Sequence, residues 1–387
     1  MTHPLKLAYI FDQVLPAHTA ESEQLIHTLS ALARRGYDCT LFCPASNVAE
    51  NPTAESLRNF YHVEGRFSLE LLHSIFPGPR IPQKIIHPLL CASLLRPKLK
   101  SFDLVYSRNI PAIAAALMTG IPAMYDTYRP WPEQYHHALR PLFQAFFHCR
   151  HFLGAALHSA YARKTYTDMG IPEEKTLVAY NGYQQEDFTP ILTIEQARKK
   201  LGLPKDTPIA LYSGRMDAEK GVGTLLDLAE KTPECHFIFA GSIHCGEIEK
   251  RANLLQNVTI LGWLDQQELI LYLYAADVLM LPLSNHPLKA AGNTVLPIKT
   301  FSYLAAGRAI FAPLSPDTSE LLVHGVNAWL VAPDDPTAAL HSFQTLIHDS
   351  DKIQKIALGA RESAALYTWD KRAEKLDEFI RTRLKQI

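Results

Sequence analysis

No stretch of this 387-residue chain approaches the ~18 consecutive apolar residues that a membrane-spanning helix requires, so an integral helical membrane protein is not expected. Charge of one sign is lacking too. Lys and Arg total 38 against 39 Asp and Glu, a net charge of −1, and nothing draws the whole chain toward nucleic acid or an anionic lipid surface. Cysteine is sparse and scattered, at Cys39, Cys43, Cys91, Cys149, Cys235 and Cys245. With no signal peptide ahead of the first apolar run, the expectation is reduced thiols in a cytoplasmic protein. Cys235 and His236 open a predicted strand while His244 and Cys245 follow it, so this group is not read as a metal site. Asp349 and Asp351 form a D-x-D triplet between two helical patterns and read as an exposed loop and helix cap.

What is present is globular: 47% hydrophobic and 20% charged residues, in a length that suits two domains. Residues 5–11 form an apolar run with strand character, residues 21–35 place Leu25, Ile26, Leu29, Leu32 and Ala33 at helical spacing, and Gly36 stops that helix before a second strand at 39–43. Such βαβ units build parallel sheets that bind ligands at the carboxyl ends of their strands. Further strands are predicted at 103–107 and 122–125. Asp126 then opens a polar and aromatic loop with Thr127, Tyr128, Arg129 and Trp131, the kind of place where functional residues gather. Prolines interrupt 77–97, and the segment 84–100 mixes Leu and Ile with Lys84, Arg96, Lys98 and Lys100. It reads either as a buried helix with a solvated basic end or as a peripheral contact with the inner face of a membrane. Residues 132–149 are expected to form a helix pair, and 369–384 a charged amphipathic helix.

The densest signal lies further on. A predicted strand at 209–212 ends at Gly214; Arg215 and Lys220 follow, and Gly221 and Gly223 precede a leucine-rich helix start. Free amides and the positive helix end meet at such a turn, and the two cations suit a diphosphate. The same residues also fit an ordinary strand-to-helix turn with solvated charges. Predicted strands at 237–241, 258–263 and 277–282, then residues 296–310 and 328–333, complete the pattern.

That order resembles the C-terminal half of retaining glycosyltransferases of the glycogen-synthase and sucrose-synthase type, the group 1 glycosyltransferases. Residues 154–170 and 177–188 are similar to the segments that lead out of the first domain in that family. The resemblance implies an α/β GT-B fold with two Rossmann-like, doubly wound domains facing across a cleft. Residues 1–190 would form the acceptor side, 191–367 the nucleotide-sugar side, and 368–387 a helix crossing back to the first domain. It implies a hexosyltransferase that moves a sugar, with retention, from a nucleotide-diphosphate sugar, expected to be a UDP-sugar, to a saccharide or lipid-linked acceptor. Polysaccharide or glycoconjugate biosynthesis follows from that activity, with no metal or other cofactor and no nucleic acid partner.

By the same resemblance Arg215 and Lys220 hold the departing diphosphate and Asp126 orients the sugar or acceptor, while Gly214, the backbone of Asn293, Thr294 and Val295, and Ser302 line the donor. The chain departs from the family at three places. The loop 12–20 lacks the glycine-rich turn common after the first strand; Tyr128 stands where relatives carry a histidine; and Thr294 and Ser302 occupy the positions of a glutamate pair. A variant branch keeps the second glutamate within a pattern that Pro297, Lys299, Phe301 and Tyr303 otherwise match. A neutral serine is a weaker acceptor for ribose hydroxyls than a carboxylate. Two other readings follow: a binding or scaffold subunit that keeps the fold without turnover, and a GT-B sugar-nucleotide epimerase. Trp263, after the third predicted strand of this half, reads equally as a contact for the nucleotide base or as core.

Overall fold

The computed structural model describes residues 3–46, 50–72, 96–127, 140–285 and 296–387. The chain divides into two compact units, Met1–Asn181 with Trp369–Ile387, and Gly182–Thr368.

The first unit is built on a seven-stranded sheet of β1 (Lys6–Ile10), β2 (Asp38–Pro44), β3 (Ser68–Leu72), β4 (Leu104–Ser107), β5 (Ala123–Thr127), β6 (Phe152–Leu157) and β7 (Thr176–Val178), in the order β3-β2-β1-β4-β5-β6-β7. All pairings are parallel. Strands buried on both faces read as continuous apolar runs, which is why β1, β2 and β6 stand out in the sequence. The first helix, Ala20–Arg34, starts where the Thr19 side chain accepts from Ser22 N and carries Glu21 and Glu23 in its first turn, where carboxylates favour the helix dipole.

The helix Trp369–Leu384 belongs to this unit although the whole second unit precedes it in the chain. Trp369 stacks on His27 of the first helix with ring centres 5.1 Å apart and planes within 11°. Ala373, Leu376 and Ile380 are fully buried, and Arg383 Nε donates to Leu153 O at 3.0 Å. The amphipathic pattern read from the sequence is therefore one buried face of this unit's core.

The second unit has a six-stranded parallel sheet of β8 (Ile209–Ser213), β9 (His236–Ser242), β10 (Val258–Gly262), β11 (Val278–Met280), β12 (Ala309–Pro313) and β13 (Trp329–Val331), in the order β10-β9-β8-β11-β12-β13. In each sheet the strand order reverses beside the first strand, between β1 and β4 and between β8 and β11. Ligands bind at such switch points, outside the carboxyl ends of the strands.

Several expectations change. Asp126 lies within β5 and not in the loop after it. Of the predicted helix pair at 132–149 the structure describes one helix, Arg140–His148, and the loop residues Tyr128–Trp131 lie outside the described residues. Most of the basic segment 84–100 also lies outside them; what is described is a short helix, Arg96–Leu99, whose following turn is fixed by Ser101. Asp349 caps the helix Ser350–Ala364, accepting from Lys352 N at 2.9 Å, as the D-x-D reading expected. Trp263 is 49% exposed and so is not core. Among the described residues no helix is long and apolar enough to cross a membrane.

Candidate active site

The turn after β8 is set by two tyrosines and two glycines. Tyr212, buried at the end of the strand, donates its hydroxyl to Arg215 O at 3.0 Å and so fixes the backbone of the residue that carries the guanidinium. Gly214 has φ +129°, a conformation side chains avoid, and a Cβ there would lie 2.5 Å from Lys299 Nζ and 3.3 Å from the Tyr212 hydroxyl. A Cβ at Gly241, φ +113°, would come within 2.8 Å of Gly214 O, so the turns after β8 and β9 cross at a distance only glycine permits. The helix Lys299–Ala306 is tied to the same strand end by Tyr303, whose hydroxyl accepts from Ser213 N at 2.8 Å. Burial pushes the Tyr303 phenol up to about 12, so it stays a neutral hydrogen-bonding post.

Arg215 and Lys220 are exposed, and their side chains make no hydrogen bond or ion pair among the described residues. They stand on the loop that leaves β8 at the switch point. Between them Asp217 caps the short turn Ala218–Lys220 by accepting from Glu219 N at 3.0 Å. The amides of Lys220, Gly221, Thr224 and Leu225 likewise have backbone acceptors. Those four donors are therefore committed within the turn and the first turn of the helix.

Lys299 completes the group, and sequence reasoning gave it no role. Its ammonium lies 3.9 Å from the centre of the Tyr212 ring, a cation–π contact, and beside Gly214. The side chain is half-buried. Burial, with the charge of Lys220 adding to it, pushes its pKa down to about 7. Ser302 sits on the next turn of the same helix and is half-buried. Asn293, Thr294 and Val295 lie outside the described residues.

Asp126 lies on β5. It belongs to the first unit, is 0% exposed, and is the centre of a buried polar network. Gln24 Nε2 donates to one carboxylate oxygen at 2.7 Å, His158 Nε2 lies 2.8 Å from the other, and one Arg372 nitrogen is 3.1 Å from both. Arg372 also donates to the carbonyls of Ala179 and Tyr180 and to Thr28 Oγ1. Burial works to raise the Asp126 pKa, yet Arg372, His158 and Arg108 hold it well below the usual carboxylate range. Burial in turn pushes His158 down to about 4 against the pull of Asp126. A carboxylate with both oxygens engaged and no exposed surface holds its neighbours in place. Arg108, after β4, donates to Gln24 Oε1 at 3.3 Å and joins this network to the switch-point edge of the first sheet.

Among the described residues no group of His, Cys, Asp and Glu has a metal-binding arrangement.

Residues 193–363 match the family described as glycosyl transferases group 1, and residues 23–186 match Glycosyltransferase Family 4. A D-inositol 3-phosphate glycosyltransferase of Corynebacterium diphtheriae is 27% identical over 222 residues, which cover 53% of this chain and 50% of that protein. The chain thus spans about half the length of such curated relatives. Among solved structures, sucrose-phosphate synthase from Thermosynechococcus elongatus aligns with a TM-score of 0.77 at 16% identity, covering 98% of each chain. Anabaena HepE in complex with UDP-glucose aligns with a TM-score of 0.73 at 17% identity, covering 98% of this chain and 100% of that one. The second unit therefore carries a group 1 glycosyltransferase domain, and the structural likenesses, together with the two parallel sheets, give the chain the GT-B fold of a glycosyltransferase.

Proposed function

We propose that this protein transfers a sugar from a nucleotide-diphosphate sugar, with UDP as the preferred nucleotide, to a saccharide or lipid-linked acceptor, with retention at the anomeric carbon. The observation that carries the reading is the pair of exposed cations, Arg215 and Lys220, without acidic partners among the described residues, at the switch point of the sheet within the group 1 domain. Cations held this way have their charge available for a ligand.

In this reading the diphosphate rests against the turn after β8. As the bond between the anomeric carbon and the phosphate oxygen lengthens, negative charge grows on the leaving phosphate, and Arg215 and Lys220 offset it where it develops. The acceptor hydroxyl attacks from the face the phosphate leaves, and its proton passes to that phosphate, so no pair of catalytic carboxylates and no metal is needed. Ser302 offers one bond to the ribose in place of a carboxylate. Asp126 acts at a distance, by holding Gln24, His158 and Arg372 in place.

The test is release of nucleoside diphosphate from a panel of sugar nucleotides by wild type and Arg215→Ala. Loss of one oxyanion-stabilising group lowers turnover by about 10²–10³-fold, and that drop is expected here. If neither protein turns over any donor while both bind one equally, the chain is a binding subunit, the reading that the neutral Thr294 and Ser302 would favour. The anomeric configuration of the product, read by NMR, tests retention.

A further inference from the structure

We infer that Lys299 is a third cation of the diphosphate pocket, held beneath Gly214 to meet a phosphate oxygen of the nucleotide. The inference rests on the donor-binding reading of Arg215 and Lys220 and extends it to a residue on a different element.

Three observations converge. The Lys299 ammonium has no carboxylate partner among the described residues and rests on the face of Tyr212, which supplies an attractive but weak contact for a desolvated cation. Gly214 leaves open the space that any side chain would take from it, since a Cβ would sit 2.5 Å from Nζ. Finally, Tyr303 pins the Lys299 helix to Ser213, so the ammonium is fixed relative to the turn that carries Arg215 and Lys220. A half-buried lysine without an anion is costly, and a phosphate oxygen is the partner this position lacks.

The groups that act on it are the Tyr212 ring from β8 and the charge of Lys220 from the following turn; Arg215, Asp217 and Tyr303 in turn face Tyr212. Asp217 is committed to capping Glu219 N. With its pKa lowered to about 7, Lys299 is partly neutral in the empty pocket at neutral pH. Above that pH, binding a diphosphate therefore draws a proton from solvent onto Nζ, while near pH ~6 the terminal phosphate releases to solvent the proton it still carries. A free nucleoside diphosphate carries more negative charge than a sugar nucleotide, because its terminal phosphate ionises a second time near pH ~6. Lys299 accordingly favours the charge state of the leaving group over that of the intact donor.

The experiment is titration calorimetry of wild type, Lys299→Met and Lys299→Arg with inorganic pyrophosphate and with UDP, at about pH 6 and about pH 8.5, in two buffers of different ionisation enthalpy. Wild type is expected to take up a proton on binding at about pH 8.5, where Lys299 is mostly neutral, and little at about pH 6, and to bind more weakly at the higher pH. Lys299→Met should bind both ligands at least about tenfold more weakly at the lower pH, the scale of a charge-assisted contact, with no uptake. Lys299→Arg, always charged, should keep the affinity and lose the uptake. Wild-type affinity for pyrophosphate in a folded Lys299→Met overturns the inference. Should Lys299→Met not fold, unchanged proton uptake in Lys299→Arg overturns it, and abolished uptake with retained affinity supports it. If wild type binds pyrophosphate with this signature but no nucleotide, the nucleotide-sugar reading fails and the role of Lys299 stands; if it binds neither, both fail.

Discussion

Replacing Arg372 by methionine keeps most of the aliphatic volume of the side chain and removes the cation that faces Asp126. The two side chains are 1% and 0% exposed, so water cannot take the place of the lost partner. Removing one member of a buried ion pair costs about 3–5 kcal/mol, because a desolvated charge is left behind. The carbonyls of Ala179 and Tyr180 lose this donor as well, at about 1 kcal/mol for each buried group left unmet, while the Thr28 hydroxyl keeps Gln24 Nε2. The upper part of that range is therefore expected for Arg372→Met at neutral pH. Adding Asp126→Asn removes the stranded charge, and the double variant should be more stable than the sum of the single changes by at least about 2 kcal/mol. Because a protein of two units need not unfold in one step, amide hydrogen exchange of peptides from β5 and the first helix is the assay, since it isolates the first unit. The sign of the pH dependence is a second check. In wild type the Asp126 pKa is depressed, and its contribution is present above the unfolded value and lost as pH falls below it. Without Arg372, burial raises that pKa above the unfolded value, so the penalty should shrink on acidification from about pH 7 to about pH 5. A penalty under about 1 kcal/mol, or an additive cycle, would refute the assignment of this network as the clasp between the C-terminal helix and the first sheet.

Other outcomes follow from the same geometry. Gly214→Ala places a methyl 2.5 Å from Lys299 Nζ in a backbone conformation unsuited to alanine; pyrophosphate affinity should fall at least about tenfold with the rest of the second unit folded, as read by calorimetry alongside circular dichroism. His158 has its pKa lowered from 6.5 to about 4, so the unfolded chain binds a proton that the folded one refuses across that interval. Stability should therefore decline as pH falls from 6.5 toward 4, by about 1.4 kcal/mol for each unit, and His158→Gln should flatten the decline in urea titrations. A wild-type curve that is level over this window would remove His158 from the argument.

The features that the sequence showed well were those encoded by neighbours in the chain. The apolar runs of β1, β8 and β9, the stop at Gly36 and the periodicity of Trp369–Leu384 all depend on residues within a turn or two. The loop with Arg215 and Lys220 was legible for the same reason. What escaped depends on distant partners. Asp126 follows an apolar run and precedes a polar segment, so it reads as a loop residue; its burial is settled by Arg372, 246 positions away, and by His158. Lys299 was visible only as part of a pattern around Ser302, because its meaning lies in its approach to Gly214 on another element. The amides of Glu219, Lys220 and Gly221 look free in sequence, and only the turn geometry shows that they are already bonded.

The first unit is interrupted in the chain by the second. Its sheet is fully synthesised by residue 181, yet the helix that supplies Trp369 and Arg372 leaves the ribosome only after all of Gly182–Thr368. During translation the nascent N-terminal half must wait, with Asp126 lacking Arg372 and His27 uncovered by Trp369, while the later half already has every residue it needs to mature. The first unit thus has its full set of residues only after the second, and a chain that stops anywhere in Gly182–Thr368 leaves the earlier unit without its last helix.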